Sequence, residues 1–347
     1  MSAPGTPGQT SKLPASSRRI FVESEFATLR TVVLAQSQIR LPDPDSISSE
    51  QLEQELSISP QEVRDLLVRL LGRDHAQAMP ERQRKWEAER DAFCHVLKKH
   101  GVEVLRPRLL TPFEMAAGGA AGYSNSFVRD PWFTVGNAVI EGSLRFVHRR
   151  HEVLPSREIF KREVLPADCV WQAIPQPELY PLDVEQGGPG PFLEGGDVLA
   201  YGKDVLVGIS GRASTHLGAQ WLQKALAPSG YRVHMVPLKP NFLHLDCAMS
   251  LIKEGLILVC EEALPQGIPS FLRDWQRITA SESDAMQLGT NGLPISPGVY
   301  VADPMFRHIG DQIASHGVHI EYVDFQISRA FGGAFRCSTQ PLWRETL

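Results

Sequence analysis

The chain has 347 residues, of which 42% are hydrophobic and 22% charged, and its formal net charge at pH 7 is −5. This balance is typical of a globular protein with a large core, and without a basic run interleaved with aromatics it argues against nucleic acid as a partner. No stretch approaches the ~18 apolar residues of a membrane-spanning helix, and the N-terminus lacks the apolar segment of a signal peptide. We therefore expect a cytoplasmic protein that acts on a small molecule, with no membrane partner. The oligomeric state is open, and a homo-oligomer is compatible with these numbers.

The five cysteines are odd in number and include no CxxC pair, which argues against a disulfide framework or a structural zinc site. Free cysteines usually pack as small hydrophobic residues. That interpretation is favoured for Cys94, Cys169, Cys247 and Cys260, and Cys247 is expected to point away from its neighbour Asp246. For Cys337 the alternative, a reactive thiol, is considered below.

The N-terminal third is predicted to contain a tail, a strand and a pair of helices. Residues 1–19 are rich in Pro, Gly, Ser and Thr and are expected to be disordered, whereas 20–347 should form a single domain. A β-branched apolar run over 26–36 predicts a strand. One helix is predicted over 59–72, with Ser59 as its N-cap and Pro60 in its first turn, and another over 80–100. These helices define a predicted insertion at about 46–100.

The rest of the chain alternates strands and helices in a repeating order of strand, strand, helix, strand. Hairpins are predicted over 132–142, 197–209 and 250–261, helices over 215–230, 267–275 and 305–317, and single strands over 102–107, 231–238, 298–303 and 318–325. Repetition at even intervals favours units arranged around a centre over a doubly wound sheet. Neither nucleotide-binding fingerprint, GxGxxG or GxxxxGK[ST], follows a strand.

Polar residues stand where several of these strands begin or end. The segments are "FVRDPW" with Asp130, "FLEGGDVL" with Glu194 and Asp197, "PNFLHLDC" with Asn241, His244 and Asp246, and "GGAFRC" with Arg336 and Cys337. Each has an ordinary structural explanation, since acids beside Gly or Pro are common in turns and a single His is commonly a core residue. No paired His or other metal spacing supports a metal site, so no metal is expected.

Together these residues fit one kind of chemistry. A guanidinium is planar and cationic, and it is held best by carboxylates that accept paired hydrogen bonds from its N–H groups. Its central carbon is a poor electrophile, so attack requires a strong nucleophile such as a thiolate and an acid that protonates the departing amine. Three acids, a histidine and a cysteine supply these groups.

The same segments resemble the superfamily of guanidino-group-modifying enzymes, which includes arginine deiminases, dimethylarginine hydrolases and amidinotransferases. The blocks "ESEFATLRTVVL", "RDPWFTVGN", "FLEGGDVL", "GISGR", "PNFLHLD", "LGTNGLPISPGVYV" and "GGAFRCSTQPL" occur in the family's order and span about 22–343. The resemblance implies an α/β fold, a pseudo-fivefold α/β propeller of ββαβ modules (the pentein fold), formed by 20–347 as the catalytic domain. It implies no organic or metal cofactor.

The resemblance also implies roles for individual residues. Cys337 would attack the guanidinium carbon, His244 would serve as general acid and then base, and Asp130, Glu194 and Asp246 would hold the guanidinium. Substrate-binding positions would be Trp132 against the cation, Asn241 near the histidine, and an arginine that grips a substrate carboxylate. For that last role Arg212 is the first candidate, and Arg149 and Arg336 are weaker ones. Asp197 is expected to support the Gly turn.

The reaction depends on what attacks the covalent amidino group on Cys337. Water would convert arginine, the expected substrate, to citrulline and ammonia, and this deiminase-like hydrolysis is the main hypothesis because "EGGD", "GTNGLPISPGV" and "RCSTQPL" resemble deiminases. An amine acceptor would make the protein an amidinotransferase, which "GNAVIEGSLRFVHRR" favours and which is the alternative. A dihydrolase releasing ornithine is a second alternative. The helical insertion is small for a bacterial-type deiminase.

Overall fold

The structure is a computed structural model, and it describes residues 18–46, 61–146, 149–177 and 190–347. Most of the predicted tail, together with Ser59 and Pro60 at the predicted helix start, lies outside these ranges. Arg18 already forms ion pairs with Glu103 and Glu163. Among the described residues, no helix is long and apolar enough to cross a membrane.

Within the described ranges, five three-stranded sheets share one strand pattern. In each, the central strand pairs antiparallel with one neighbour and parallel with the other, in the orders β17-β1-β3, β5-β6-β7, β8-β9-β10, β11-β12-β13 and β14-β15-β16, while β2 pairs with β4. The strands are β1 (Leu29–Leu34), β2 (Gln38–Arg40), β3 (Glu103–Leu105), β4 (Tyr123–Asn125), β5 (Trp132–Val135), β6 (Ala138–Glu141), β7 (Val170–Ala173), β8 (Val198–Tyr201), β9 (Asp204–Ile209), β10 (Arg232–Pro237), β11 (Met249–Lys253), β12 (Leu256–Val259), β13 (Gln276–Thr279), β14 (Leu293–Ser296), β15 (Val299–Ala302), β16 (His319–Tyr322) and β17 (Thr339–Arg344). The mixed α/β class is confirmed, whereas the radial arrangement of five modules stays a prediction.

The helices connect or cover these sheets. They are α1 (Gln61–Leu70), α2 (His75–Ala78), α3 (Pro80–Lys99), α4 (Pro112–Gly118), α5 (Arg157–Ile159, continued by the π-helical turn Phe160–Val164), α6 (His216–Leu226), α7 (Glu282–Met286), α8 (Arg307–Ser315) and α9 (Gln326–Ala330). Helix α3 ends where predicted, because Gly101 adopts a positive φ of 74°. The helix predicted over 267–275 is only a 3₁₀ turn, Ser270–Leu272.

The C-terminal strand completes the sheet that the first strand begins. Strand β17 lies antiparallel to β1, with Pro341 opposite Val32, and it forms the edge of its sheet. A proline has no N–H to donate, so it is tolerated in an edge strand and not in a central one. The pairing fixes residues 334–338, which precede β17, beside the N-terminal part of the domain.

Each of the five three-stranded sheets therefore has one edge strand that pairs antiparallel with its central strand. These edge strands are β5, β8, β11, β14 and β17. Asp130 precedes β5, Glu194 precedes β8, His244 precedes β11, Asn291 precedes β14 and Cys337 precedes β17. The same position in five sheets thus carries the polar residues that the sequence singles out, with Asn291 in addition.

Candidate active site

Hydrogen bonds join the five segments in a closed circuit. The backbone N–H of Gly195 donates to the carbonyl of Asp130 at 3.0 Å, and that of Leu245 donates to Asp197 Oδ1 at 3.0 Å. The circuit continues from Asn291 Nδ2 to the Asp246 carbonyl, from Arg336 N to the Asn291 carbonyl, and from Arg129 N to the Cys337 carbonyl, at 3.3, 3.2 and 3.2 Å. Residues more than 200 positions apart in sequence are thereby held in one polar cluster.

The paired glycines of the "EGGD" segment allow two other segments to approach closely. A Cβ on Gly196 would lie 2.7 Å from both Asp130 Oδ1 and His244 Cγ, and a Cβ on Gly195 would lie 2.0 Å from the Arg129 carbonyl oxygen. Any side chain there would force the acid and the histidine apart. The Gly pair is therefore required for packing around the site as well as for the turn.

Asp130, Glu194 and His244 form the centre of the cluster. His244 Nε2 hydrogen bonds to Glu194 Oε2 at 2.8 Å, and its Nδ1 lies 3.7 Å from Asp130 Oδ1. All three residues are buried. Burial lowers the pKa of His244, but the Asp130 charge, the Glu194 hydrogen bond and the Asp197 charge outweigh it and raise the pKa to about 10. The imidazole is therefore cationic at neutral pH and has a proton to donate.

Asp197, which the sequence analysis expects to support the Gly turn, also links two of the segments around this centre. Its Oδ1 accepts from Leu245 N at 3.0 Å and its Oδ2 accepts from Ser214 N at 3.2 Å, while the Ser214 hydroxyl accepts from Glu194 N at 3.0 Å. Burial is the main reason that the pKa of Asp197 rises to about 7, with the Glu194 charge acting in the same direction. The carboxylate ties the segments that carry Glu194 and His244 to each other.

Cys337 lies against Asp246, another acid of the cluster. Its Sγ is 3.7 Å from Asp246 Oδ2, and its backbone N–H donates to Asn291 Oδ1 at 3.2 Å. Burial raises the pKa of the Cys337 thiol well above its ordinary value, and the charges of Asp246 and Asp130 raise it further. The thiol is therefore neutral in the free protein.

Arg336 is buried and paired with carboxylates of the protein itself, although the sequence analysis names it as a weaker candidate for binding a substrate carboxylate. Its guanidinium donates to both oxygens of Glu25 at 3.1 and 3.2 Å, to Asp246 Oδ2 at 2.9 Å and to the Val198 carbonyl at 2.7 Å. It is fully buried. These contacts suit a residue that positions Asp246, and Glu25 in turn holds the Arg336 guanidinium in place.

Cys247 does not point away from Asp246. Its Sγ lies 3.6 Å from Asp246 Oδ1, the oxygen not used by Cys337, while its side chain also packs against two hydrophobic clusters. Burial followed by the Asp246 charge raises the pKa of its thiol well above the ordinary value. The short 3₁₀ turn Leu245–Cys247 is the reason, because it removes the strand alternation on which the sequence expectation rests.

Arg149 enters the centre of the cluster. Its Nη2 donates to Asp130 Oδ2 at 2.8 Å and to Glu152 Oε2 at 2.9 Å, its Nε donates to Glu152 Oε1 at 3.0 Å, and its Nη1 lies 3.4 Å from Glu194 Oε2. The Asp130 and Glu194 carboxylates thus hold a guanidinium that belongs to the chain itself. Sequence reasoning does not anticipate this contact, nor the part of Glu152 in it.

Three other predicted substrate contacts lie in different surroundings. Trp132 is buried against Phe160 at a ring separation of 4.9 Å, and its Nε1 donates to Ser156 at 3.2 Å. Asn241 donates to Glu282 Oε1 at 3.0 Å. Arg212 is half-buried two residues before Ser214, and within the described ranges its guanidinium has no ion-pair partner.

Asn291 is a further buried residue of the cluster that the sequence analysis does not single out. Its Oδ1 accepts from the N–H groups of Ala334 and Cys337, both at 3.2 Å, so it fixes the turn that presents the thiol. The available signal is its place between Thr290 and a glycine in "GTNGLP", one of the blocks that carry the resemblance.

The cluster also has the geometry of a cation site. Asp130, Glu194 and His244 each offer one ligand atom, and these atoms lie within 4.8 Å of one another. A metal ion there would compete with the Arg149 guanidinium and would require His244 to lose its proton. These three residues therefore bind a guanidinium without rearrangement. They could bind a metal ion only if Arg149 left the cluster and His244 lost its proton.

The chain is similar in sequence to several known proteins. The family model for arginine deiminase matches residues 123–278. An uncharacterized Bacillus subtilis protein, YkgA, is 35% identical over 153 residues, which are 44% of this chain and 52% of that protein, so the match spans about half the length of that relative. Inosamine-phosphate amidinotransferase 1 from Streptomyces glaucescens is 28% identical over 276 residues, 73% of this chain and 78% of that enzyme.

Solved structures extend the similarity to nearly the whole chain. An amidinotransferase of the saxitoxin biosynthetic pathway from Microseira wollei superposes with a TM-score of 0.75 at 20% identity, covering 94% of this chain and 98% of that one. DDAH from Pseudomonas aeruginosa superposes with a TM-score of 0.62 at 18% identity, covering 90% and 99%. On sequence and fold together, this chain belongs to the guanidino-group-modifying superfamily.

Proposed function

We propose that the protein is an amidinotransferase that moves the amidino group of a guanidino donor, with arginine as the expected donor, through Cys337 to an amine acceptor. The observation that carries the proposal is that Asp130 and Glu194 already bind a guanidinium, that of Arg149. A site that holds this group, beside a cationic imidazole and a thiol, has the parts that amidino transfer needs. The sequence analysis ranks hydrolysis first, but the amidinotransferase relatives, aligned over about three quarters of the chain, favour transfer.

The proposed first step forms a carbon–sulfur bond. A substrate guanidinium held by the carboxylates brings a positive charge next to Cys337, whose thiol is neutral because of burial and two nearby acids. This charge lowers the pKa of the thiol, which loses its proton to solvent and attacks the guanidinium carbon. His244 donates its proton to the departing amine as the carbon–nitrogen bond breaks, leaving an amidino group on Sγ.

The second step reverses these transfers. The neutral His244 accepts a proton from the incoming amine as its nitrogen attacks the amidino carbon, and the carbon–sulfur bond breaks to return the Cys337 thiolate. Asp246 and its Arg336 partner keep the negative charge beside Cys337 compensated, because the guanidinium of Arg336 lies 2.9 Å from the Asp246 carboxylate. Hydrolysis to citrulline would differ in both steps: ammonia would leave first, so that the amidino carbon on Sγ keeps the rest of the substrate, and water would then attack that carbon and break the carbon–sulfur bond.

Hydrolysis is the second candidate, and the arginine deiminase family model over residues 123–278 favours it. One experiment separates the two. Arginine labelled with ¹³C in its guanidino carbon is incubated with the protein, alone and with glycine, lysine or a panel of other amines, and products are identified by mass spectrometry. Label on the amine, formed only when an amine is present, would establish transfer. Citrulline and ammonia without an amine would establish hydrolysis, and ornithine, ammonia and carbon dioxide a dihydrolase.

Intact-protein mass spectrometry tests the covalent step in the same samples. We expect the mass of one amidino group on Cys337, absent from Cys337→Ser and present in Cys260→Ser, a control at a buried thiol that lies beside Glu262. If neither arginine nor a panel of other guanidino compounds modifies Cys337 or yields product, the proposal is wrong.

A further inference from the structure

We infer that Arg149 is an internal guanidinium that occupies the substrate's place in the free protein, so that substrate binds by exchanging its guanidinium for that of Arg149. The inference rests on the proposed function, because it takes Asp130 and Glu194 as the groups that hold the substrate guanidinium. It assigns Arg149 a role in affinity and selectivity that differs from gripping a substrate carboxylate.

The contacts of Arg149 are those expected for a bound guanidino ligand. All three of its guanidinium nitrogens contact carboxylates, and these belong to three residues, Asp130, Glu152 and Glu194. The side chain is 14% exposed. Since a second guanidinium cannot accept hydrogen bonds from the first and would repel its charge, both groups cannot occupy Asp130 and Glu194 together.

Charge balance makes an exchange easier than a simple departure. If Arg149 left without replacement, the buried carboxylates of Asp130 and Glu194 would lose a direct ion-pair partner. They would keep His244, together with the weaker influence of the Arg129 and Arg145 charges. An incoming guanidinium carries the same charge and the same planar donor pattern, so the cluster keeps its net charge. A neutral ligand would not offer this compensation. The exchange therefore favours guanidinium compounds over uncharged ureas of similar shape.

Glu152 provides a position for Arg149 after the exchange. It binds Arg149 through two of the four contacts, and it also lines a cavity of about 370 Å³ whose wall includes Leu110, Phe113, Tyr123 and His151. By rotating into this cavity, Arg149 can release Asp130 and Glu194 and keep Glu152 as its partner. The cavity wall belongs to helix α4 and the segments beside it.

The neighbouring arginine offers a matched control. Arg150 donates to the Leu144 carbonyl at 3.0 Å, and its guanidinium lies 5.8 Å from the Phe192 ring centroid. It makes none of the carboxylate contacts of Arg149 within the described residues. Loss of a positive charge from this part of the chain is therefore common to both variants, whereas release of Asp130 and Glu194 is specific to Arg149.

The test measures binding of methylguanidine, a guanidinium without a carboxylate, by isothermal titration calorimetry. The Cys337→Ala protein is the parent, so that no turnover occurs. We expect Arg149→Met to bind methylguanidine at least about tenfold more tightly than the parent, and Arg150→Met to bind as the parent does. Binding of methylguanidine by Arg149→Met at or below the parental affinity would overturn the inference.

A second variant covers the case in which Arg149→Met does not fold. Glu152→Gln keeps Arg149 but replaces its charged partner with a neutral one, which should weaken the retention of Arg149 and raise the affinity for methylguanidine several-fold. Unchanged or weaker binding in Glu152→Gln would contradict the exchange. The proposed function can fail separately: absence of a Cys337 adduct would refute transfer even if the affinity changes appear, and an adduct without affinity changes would refute only the role of Arg149.

Discussion

Replacing Asp246 with asparagine tests whether this carboxylate keeps the Cys337 thiol neutral. The two groups are 3.7 Å apart, and unit charges at that separation repel by about 4 kcal/mol at an effective dielectric constant of about 20, which corresponds to about 3 pKa units. Arg336, left without this partner, would lower the thiol pKa further. We therefore expect the pKa of Cys337 to fall by about 3 units in Asp246→Asn.

The assay is the rate of alkylation of Cys337 by iodoacetamide between pH 6 and 10, followed on its peptide by mass spectrometry. Below the thiol pKa, a fall of about 3 units increases the thiolate about 1000-fold, but a less basic thiolate is a weaker nucleophile, so the net gain is roughly 40-fold. Cys247, which shares Asp246, should also react faster. Cys260 should not.

An isosteric change at an unrelated acid controls for general effects of charge. Asp204 pairs with Arg232 and His234 at the surface, so Asp204→Asn should leave the alkylation rate of Cys337 unchanged. If the pH profile of Cys337 in Asp246→Asn superimposes on that of the wild-type protein, or moves to higher pH, Asp246 does not control the thiol.

Three further predictions concern the residues around this centre. The pKa of Asp197 in the folded protein, about 7, exceeds its ordinary value of 3.8, so its contribution to stability is present at low pH and is lost as pH rises through 7. The loss of unfolding free energy between pH 4 and 8 should therefore be smaller in Asp197→Asn than in the wild-type protein. An unaltered pH dependence of the unfolding free energy would refute the assignment. Glu25→Gln leaves Arg336 buried with one charged partner fewer and should reduce the unfolding free energy in urea by about 3 kcal/mol, so a loss below about 1 would speak against the pair. Trp132→Phe removes the hydrogen bond to Ser156 and some buried volume, so it should lower the free energy of unfolding by about 2 kcal/mol. The KM for guanidino substrates should not change. A raised KM at unchanged stability would instead support Trp132 as a substrate contact.

Local patterns were sufficient for the strands and helices with strong periodicity. Helix α3 and the hairpins β8–β9 and β11–β12 are determined by nearby residues: caps, glycine stops and apolar alternation. Strand β17 is different, because Pro341 argues against a strand and only the distant partner β1 makes it one. Strands β7 and β13, at the edges of their sheets, likewise owe their conformation to parallel pairing with β6 and β12.

In the candidate site, likewise, the sequence indicates the kinds of residue but not how they are placed relative to one another. The residue types predict guanidinium chemistry, and the structure brings Asp130, Glu194 and His244 together as that prediction requires. What the sequence could not supply is which arginine pairs with Asp130 and Glu194. Nothing in the sequence distinguishes Arg336 from Arg149 for this role. Arg336 pairs with Glu25 and Asp246, whereas Arg149 enters the Asp130–Glu194 cluster, and the difference arises from how the five sheet edges pack together.

The ionisation states of the two predicted reactive groups point to an order of events. His244 is protonated while Cys337 is neutral, the reverse of a resting thiolate paired with a neutral base. In the proposed reaction, the acid for the leaving amine is thus present before substrate arrives, but the nucleophile is formed only when the substrate cation comes next to the thiol. The guanidinium of Arg149 pairs with Asp130 and Glu194, and it is not among the main charges that set the pKa of the Cys337 thiol. Because a substrate guanidinium carries the same charge, it activates the thiol only by lying nearer to Sγ than the Arg149 guanidinium does, as attack on its carbon requires. On this view the site remains unreactive until the exchange, and the energetic cost of displacing Arg149 falls on binding rather than on the chemical step.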